Sequence, residues 1–285
     1  MEDRFQTLIK PHQLLSHIND KDWLIVDCTF YLQNPDQGYK EYLYDHIPNS
    51  IYAHLNDDLS GKITLTTGRH PLPKPEDFIP LLERWGLQLG MQVVAYDSSG
   101  GGMAAARLWW LLNYYGFTRV AVLDGGYPNW LRQEYPVSSN IPIRNRSMLN
   151  LAPKKQMTIN AQSIRELYGE KTCKVLDGRT HNRFLGLEEV IDPISGHIPG
   201  AISAPVTDYL DEDLNFKPKS EIKGQIKNLL GDTLSENSIY YCGSGVTAAL
   251  GVFALVYAGY NMGRLYPGSW SEWIRRPWAE IAVKE

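Results

Sequence analysis

Two segments of this chain read as copies of one another, and no other feature restricts its fold as strongly. In the first half "WLIVDCTFY" is followed by "DHIPNSIYAHL"; in the second, "CKVLDGRTH" is followed by "GHIPGAISAPV". Asp27 then matches Asp177, and His46-Ile47-Pro48 matches His197-Ile198-Pro199, at an offset of about 150 residues. Further on, "VVAYDSSGGGMAAARLWWLLNYYGF" lies over "SIYYCGSGVTAALGVFALVYAGY", and "LDGGYPNW" lies over "YPGSWSEW", so that Trp130 falls on Trp273. The full length of 285 residues fits two domains of roughly 150 residues each, and each half is long enough to bury its own core.

Each copy carries the same succession of patterns. A helical stretch ("KPHQLLSHIN"; "NAQSIRELYG") precedes a short β-rich run ("WLIVDC"; "CKVLDG"). After the His-Ile-Pro loop and a further short strand comes a helix ("DFIPLLERWG"; "EIKGQIKNLLG"), then an apolar strand ("QVVAYD"; "SIYYC"). A glycine loop and a long apolar helix follow, and a last short strand ("RVAVLDGG"; "MGRLYPGS") closes the copy before an aromatic-rich packing segment. Short apolar strands alternating with helices predict an α/β fold: two tandem domains, each a central parallel sheet flanked by helices. Gly116 and Gly259 sit where C-terminal caps belong. "PVSSNIPIRNRSMLNLAPKKQM" has no periodicity and reads as a linker, giving an N-terminal domain over 1–137, a linker over 138–156 and a C-terminal domain over 157–285.

Composition removes several function classes. The formal net charge is −4 with both signs interspersed, so nothing favours nucleic acid or an anionic membrane as partner. Cys28, Cys173 and Cys242 are widely spaced and form no zinc-like cluster, which fits a reducing compartment. The start has no signal-peptide core, and the longest apolar run, "ALGVFALVYAGY", is too short to span a bilayer. A cytoplasmic protein is expected. No dinucleotide-binding, Walker-type or metal-ligand motif is present, and "SSGGGM" lacks the Gly-Lys-Ser/Thr of a phosphate-binding loop, so neither cofactor nor metal is expected.

The copies differ where chemistry would sit. Asp97 occupies the position of Cys242, and the glycine loop after Asp97 is two residues longer, counted to Gly116 and Gly259. One copy holds a nucleophile and the other a carboxylate, which marks the first copy as non-catalytic. Cys242 ends a strand, where ligands bind in parallel α/β folds. The loop Gly243, Ser244, Gly245, Val246, Thr247, Ala248 can aim backbone N–H groups at the sulfur, and the helix starting near Thr247 adds partial positive charge. Both favour a thiolate, and the same cradle suits an anionic persulfide. Cys28 and Cys173 flank β-rich runs and read as core residues.

"CGSGVTA", together with "DGRTHNRF", "GHIPGA", "GSWSEW", "GRHPLP" and "LDGG", resembles the tandem rhodanese-like sulfurtransferases, specifically the 3-mercaptopyruvate type, over nearly the whole chain. The resemblance implies a two-step exchange. The Cys242 thiolate takes a sulfane sulfur from an anionic donor and becomes a persulfide; a thiol, a reduced thioredoxin-like protein or cyanide then accepts that sulfur. It implies donor binding by Arg183, with Arg179 as a second basic residue, since a guanidinium offers a carboxylate or thiosulfate a fork of donors. His70, inside "GRHPLP", is a candidate for proton transfer, while His54 stands where the family has an acidic residue proposed to assist it. The loop "LEEVIDPIS" lacks a further arginine that mercaptopyruvate enzymes commonly carry, and Gly243 and Ser244 replace basic residues that thiosulfate enzymes commonly carry. The neutral loop favours 3-mercaptopyruvate, with thiosulfate as the alternative donor.

Each residue also has a simpler reading. Arg183 can pair with Glu188 or Glu189, and Arg179 can brace its loop through carboxylates. His46 and His197 recur and organise the His-Ile-Pro turns; Trp270 and Trp273 pack. A cysteine phosphatase would need an arginine six positions after the nucleophile, where Ala248 stands. A persulfide carrier with little small-donor turnover is the non-enzymatic alternative, separable by steady-state kinetics.

Overall fold

The computed structural model describes residues 5–167 and 172–283. Tyr168 and Gly169, the end of the helix expected over 160–169, lie outside the described residues. The elements run β1 (Leu8–Ile9), α1 (Pro11–Leu15), β2 (Trp23–Asp27), α2 (Gln37–Tyr44), β3 (Ser50–Tyr52), α3 (Pro75–Arg84), β4 (Gln92–Tyr96), α4 (Ala104–Tyr114), β5 (Val120–Leu123) and α5 (Gly126–Arg132) in the first copy. In the second they run α6 (Ala161–Glu166), β6 (Lys174–Asp177), α7 (His181–Phe184), β7 (Ile202–Ser203), α8 (Lys219–Leu230), β8 (Ser238–Tyr241), α9 (Ala248–Tyr257), β9 (Arg264–Leu265) and α10 (Ser269–Trp273).

The first sheet has the order β1-β5-β4-β2-β3 and the second β7-β6-β8-β9, every pair within each being parallel. A parallel bridge from Thr158 to Leu265 stands beside β9 as β1 stands beside β5, so the two orders are the same. All five residues of β2 and of β4 are buried, as near-continuous apolar runs covered on both faces require. The helices α4 and α9 follow the same logic. α4 is buried along its whole length and α9 over Ala248–Leu255, so neither shows an amphipathic stripe. Both end in the same cap. Gly116 (φ 86°) and Gly259 (φ 88°) take the left-handed conformation, and Phe117 and Tyr260 donate back to the carbonyls of Leu112 and Leu255.

Contacts divide the chain into two compact units that are not contiguous in sequence. The first comprises Met1–Gly61, Pro73–Lys154 and Leu210–Phe216; the second comprises Lys62–Leu72, Lys155–Tyr209 and Lys217–Glu285. In the first unit Phe216 N–H donates to the buried Asp124 carboxylate at 2.8 Å. In the second, Arg69 N–H donates to Ser271 Oγ at 3.1 Å. Residues 139–154 hold no regular element, and they run along the first unit through bonds from Ser147 and Lys154 to the carbonyls of Glu83 and Tyr114. Among the described residues no helix is long and apolar enough to cross a membrane.

The duplication extends to side chains. His46 Nδ1 bonds the Tyr42 carbonyl at 2.6 Å, and His197 Nδ1 bonds that of Phe184 at 2.7 Å. Ile47 N–H donates to Tyr96 Oη and Ile198 N–H to Tyr241 Oη, both at 3.2 Å. Trp130 and Trp273 each donate through Nε1 to a carbonyl at 2.9 Å, those of Pro136 and Glu280. These histidines and tryptophans hold turns in both copies, so what recurs is scaffold.

Candidate active site

In both sheets the strand register ends on the same pair. Asp27 lies opposite Tyr96 in the first, and Asp177 lies opposite Tyr241 in the second. The next residue leaves the sheet at its carboxyl edge: Asp97 in one unit, Cys242 in the other.

Asp97 shows what the loop at this place does to an anion. Its carboxylate, 1% exposed, accepts four backbone N–H bonds, from Ser99 and Gly101 to Oδ1 at 2.8 Å and from Met103 and Ala105 to Oδ2 at 3.1 Å. Burial pushes its pKa up and the four donors work against that push. The cradle is occupied by the chain's own side chain.

Cys242, 2% exposed, sits in the counterpart loop. Gly245 N–H donates to its sulfur at 3.2 Å. Gly245 has φ 76°, and a Cβ there would lie 2.3 Å from the Pro267 carbonyl oxygen, so only glycine keeps this N–H aimed at the sulfur. The strand end is pinned from α10. Cys242 N–H donates to Ser269 Oγ at 3.1 Å, and Trp270 and Ser271 donate to the carbonyls of Cys242 and Gly243 at 2.9 Å. Ser269 itself has φ 52°, an uncommon left-handed backbone for a non-glycine residue. Thr247 is the N-cap of α9 with no side-chain cap bond, and Val246 and Ala248 are buried. Ser244 Oγ is 2.8 Å from His70 Nδ1, and both side chains are buried within the second unit. His54 bonds the Pro35 carbonyl and pairs with Asp57, both in the first unit.

Three guanidinium groups and three carboxylates form one network beside this loop. Arg179 is buried at its core. Its Nε reaches both Asp177 oxygens at 3.0 and 3.1 Å, and its Nη2 reaches Asp177 Oδ2 and the Gly196 carbonyl, each at 2.6 Å. Its Nη1 lies 3.5 Å from Glu189 Oε2, and its Cζ lies over the Trp270 ring, 4.7 Å from the centroid. Burial alone would lower the Arg179 pKa, but the Asp177 charge and hydrogen bonds outweigh it and hold the guanidinium above its ordinary value. Arg183 donates through Nε and Nη2 to Glu189 at 2.8–3.1 Å and through Nη2 to Asp192 at 3.1 Å. Glu189 also accepts N–H bonds from Ile191 and Asp192 at 3.0 Å; these and Arg183 overcome the upward push of burial and bring its pKa below the usual range. Arg69 completes the network through an ion pair with the second Asp192 oxygen.

The structure therefore places Cys242, its loop, His70 and Arg183 together. Arg179 is set back from them, with its donors committed to Asp177, Glu189 and Gly196. Sequence reading missed Arg69 and Asp192, and it treated Ser269 only as part of a packing segment. The motif "GRHPLP" drew attention to its histidine alone, though its arginine is adjacent. Burial pushes the Cys28 thiol well above the ordinary thiol range, and it raises Cys173 against the opposing effect of Arg264. Among the described residues no group of three His, Cys, Asp or Glu side chains is placed to hold a metal ion.

Known proteins are similar to the chain over most of their length. The chain is 39% identical over 278 residues to the "Probable 3-mercaptopyruvate sulfurtransferase" of Pseudomonas aeruginosa, covering 97% of this chain and 98% of that one. It is 32% identical over 271 residues to the 3-mercaptopyruvate sulfurtransferase of Homo sapiens, covering 92% of this chain and 88% of that one. The crystal structure of a 3-mercaptopyruvate sulfotransferase from Escherichia coli superposes with a TM-score of 0.80 at 27% identity, over 93% of this chain and 99% of that one. The Rhodanese-like domain matches residues 10–133 and again 160–276, the two stretches that carry the repeated sheet, so the chain belongs to the rhodanese family as a tandem of two such domains.

Proposed function

We propose that this enzyme is a sulfurtransferase in which Cys242 carries the transferred sulfur and 3-mercaptopyruvate is the donor. The observation that carries the reading is the buried Cys242 sulfur at a strand end, accepting the Gly245 N–H beside the Arg183 guanidinium. Its relatives are named 3-mercaptopyruvate sulfurtransferases and thiosulfate sulfurtransferases, which supports sulfur transfer with either donor.

In the first half-reaction the Cys242 thiolate attacks the donor sulfur. A sulfur–sulfur bond forms, the donor's carbon–sulfur bond breaks, and its electron pair leaves on carbon as the pyruvate enolate. The enolate takes up one proton, equivalent to the one the donor thiol gives up as the persulfide ionises. Ser244 and His70, in mutual hydrogen-bond contact, form the candidate path for that proton. In the second half-reaction a thiolate or cyanide attacks the outer sulfur and restores the Cys242 thiolate. The N–H cradle stabilises the anionic persulfide between the two steps. A thiol acceptor, such as a reduced thioredoxin-like protein, and a reducing cytoplasmic setting suit the free cysteines.

Charge supports the choice of donor. Arg69, Arg179 and Arg183 are balanced by Asp177, Glu189 and Asp192, leaving the network neutral. A carboxylate monoanion adds one negative charge to a neutral surrounding, whereas thiosulfate adds two at low dielectric. With cyanide as common acceptor, kcat/KM for 3-mercaptopyruvate is expected to exceed that for thiosulfate by at least about tenfold. A preference for thiosulfate would overturn the donor assignment and leave rhodanese activity as the reading.

Arg183→Ala is expected to lower kcat/KM for 3-mercaptopyruvate by roughly tenfold to a hundredfold, the effect of one charge-assisted hydrogen bond. An unchanged value would remove Arg183 from donor binding. Arg179, by contrast, is proposed to act through Asp177 and Glu189 as a positioning residue. The copy over 1–137 is proposed to be non-catalytic, its cradle being filled by Asp97.

A further inference from the structure

The second compact unit holds a cavity of about 610 Å³ that the sulfur-transfer reading above does not use. The volume is that of a site for a small organic molecule. The start of α6 and the segment joining β9 to α10 contribute to its lining, and all the lining residues belong to that unit. Leu72, Ile159 and Leu167 supply apolar surface.

Two polar side chains of the lining are left unsatisfied. Tyr266 is 1% exposed and its hydroxyl is buried without a hydrogen-bond partner; Arg264 Nε is buried without one as well. Burial, reinforced by the Glu272 charge, pushes the Tyr266 hydroxyl well above its ordinary pKa, so it stays a donor. Arg264 engages only Nη2, 3.7 Å from Cys173 Sγ. The carboxylates of the lining have partners: Glu272 pairs with Arg276, and Glu166 accepts from Gln162 Nε2 at 2.9 Å. Lys155 also lines the cavity and enters no ion pair among the described residues. With Glu272 neutralised by Arg276, the cations Lys155 and Arg264 exceed the remaining carboxylate by one charge. Unpaired buried donors and one surplus positive charge suit a ligand that brings a single carboxylate, and the apolar surface suits an apolar body.

The wall of this cavity also supports the nucleophile. A Cβ on Gly245 would lie 2.3 Å from the Pro267 carbonyl oxygen, so Pro267, which lines the cavity, backs the residue whose N–H reaches the Cys242 sulfur. The Tyr266 carbonyl accepts from Ser269 Oγ at 2.9 Å, and Ser269 Oγ accepts the Cys242 N–H at 3.1 Å. Tyr266 thus belongs both to the cavity and to the support of the nucleophile.

We propose that this cavity is a second binding site, for a small molecule with one carboxylate and an apolar body, and that its occupant steadies the loop around Cys242. Arg264 and Tyr266 would donate to the carboxylate, and contact with the segment Tyr266–Gly268 would hold the Gly245 turn closed over the sulfur. The effect on the loop rests on Cys242 as the nucleophile; the site itself does not.

The test uses the full-length protein and 3-phenylpropionate as probe, with 3-phenylpropanol as its uncharged control. Titration calorimetry is expected to give a Kd of about 1 mM or tighter for the acid and a value at least about tenfold weaker for the alcohol. Arg264→Gln should weaken the acid at least about tenfold. Tyr266→Phe should weaken it about threefold to tenfold with the melting temperature unchanged or higher, because it deletes a hydroxyl that has no partner. Cys242 is 2% exposed, so its alkylation by iodoacetamide requires the loop to open, and bound probe should slow that reaction at least about threefold. Protection that survives Arg264→Gln and disappears in Arg183→Ala would place the probe in the donor site and overturn the proposal. So would the absence of saturable binding, equal affinity for acid and alcohol, or an alkylation rate indifferent to bound probe. If binding depends on Arg264 but 3-mercaptopyruvate is not turned over, the second site stands and the donor assignment fails.

Discussion

With Cys242 replaced by serine, transfer of sulfur from 3-mercaptopyruvate to cyanide is expected to fall by at least about a thousandfold. A serine hydroxyl is not ionised at neutral pH, and its oxygen cannot hold the transferred sulfur as a stable persulfide. The fold should survive. Cys242 is buried, but oxygen for sulfur changes little volume, and the Gly245 N–H keeps an acceptor, so the stability change should be about 1 kcal/mol or less. Intact-mass measurement checks the chemistry directly. The unaltered protein treated with donor gains one sulfur atom, Cys242→Ser gains none, and Cys28→Ser still gains it. A sulfur adduct retained on Cys242→Ser would assign the nucleophile elsewhere.

The second large effect concerns Asp177. Its carboxylate and the Arg179 guanidinium are 0% and 1% exposed, and the pair is joined by three side-chain hydrogen bonds. Asp177→Asn removes the negative charge and leaves a buried cation short of a partner, so urea melts should show a loss of about 3–5 kcal/mol. The equivalent change in the other copy should behave differently. Asp27 accepts a single N–H bond of the same kind, from Thr29 at 2.8 Å, and where Asp177 has Arg179 it has Thr29. Burial, only partly countered by Thr29 and Tyr96 and reinforced by Asp97, raises its pKa to about 7. The unfolded chain releases that proton near 4, the folded protein near 7. Stability from this group is therefore complete below about pH 4, falls as pH rises, and is lost above about 7. Asp27→Asn removes this slope. Measured relative to the unaltered protein, the variant should gain a few kcal/mol between pH 4 and pH 8. Parallel pH profiles for the two proteins would show that Asp27 ionises normally.

The contrast between these aspartates marks what the sequence makes legible. Repetition and periodicity identify buried strands because burial in a parallel sheet demands apolar side chains in an unbroken run, as in "WLIVD" and "QVVAY". A residue one step beyond a strand end inherits its place from the strand, so the equivalence of Asp97 and Cys242 follows from the sequence alone. Helix α2 gives no such signal, because "QGYKEYLY" buries only Gly38 and Tyr42 and leaves too narrow an apolar stripe to register. Arg69 and Asp192 stay hidden for a different reason. Both lie outside any strand or helix, in segments 123 residues apart in sequence, and periodicity says nothing about where such a segment is anchored. Ser269 is hidden likewise, since its role depends on a left-handed backbone angle at a residue type that does not advertise one.

The non-contiguous composition of the compact units decides when each can be completed as the chain is synthesised. A ribosome reaching the end of the first repeat has not yet produced Leu210–Phe216, which the first unit includes. Its last piece arrives only when most of the second repeat has been synthesised. Conversely, Lys62–Leu72 is made early and waits for the unit in which it will settle. A gene divided within 138–156 would thus yield a half that carries Cys242 and Arg183 but neither Arg69 nor His70. The duplication that the sheet orders imply has since been crossed by two segments, Lys62–Leu72 and Leu210–Phe216, each of which settles in the unit of the other repeat.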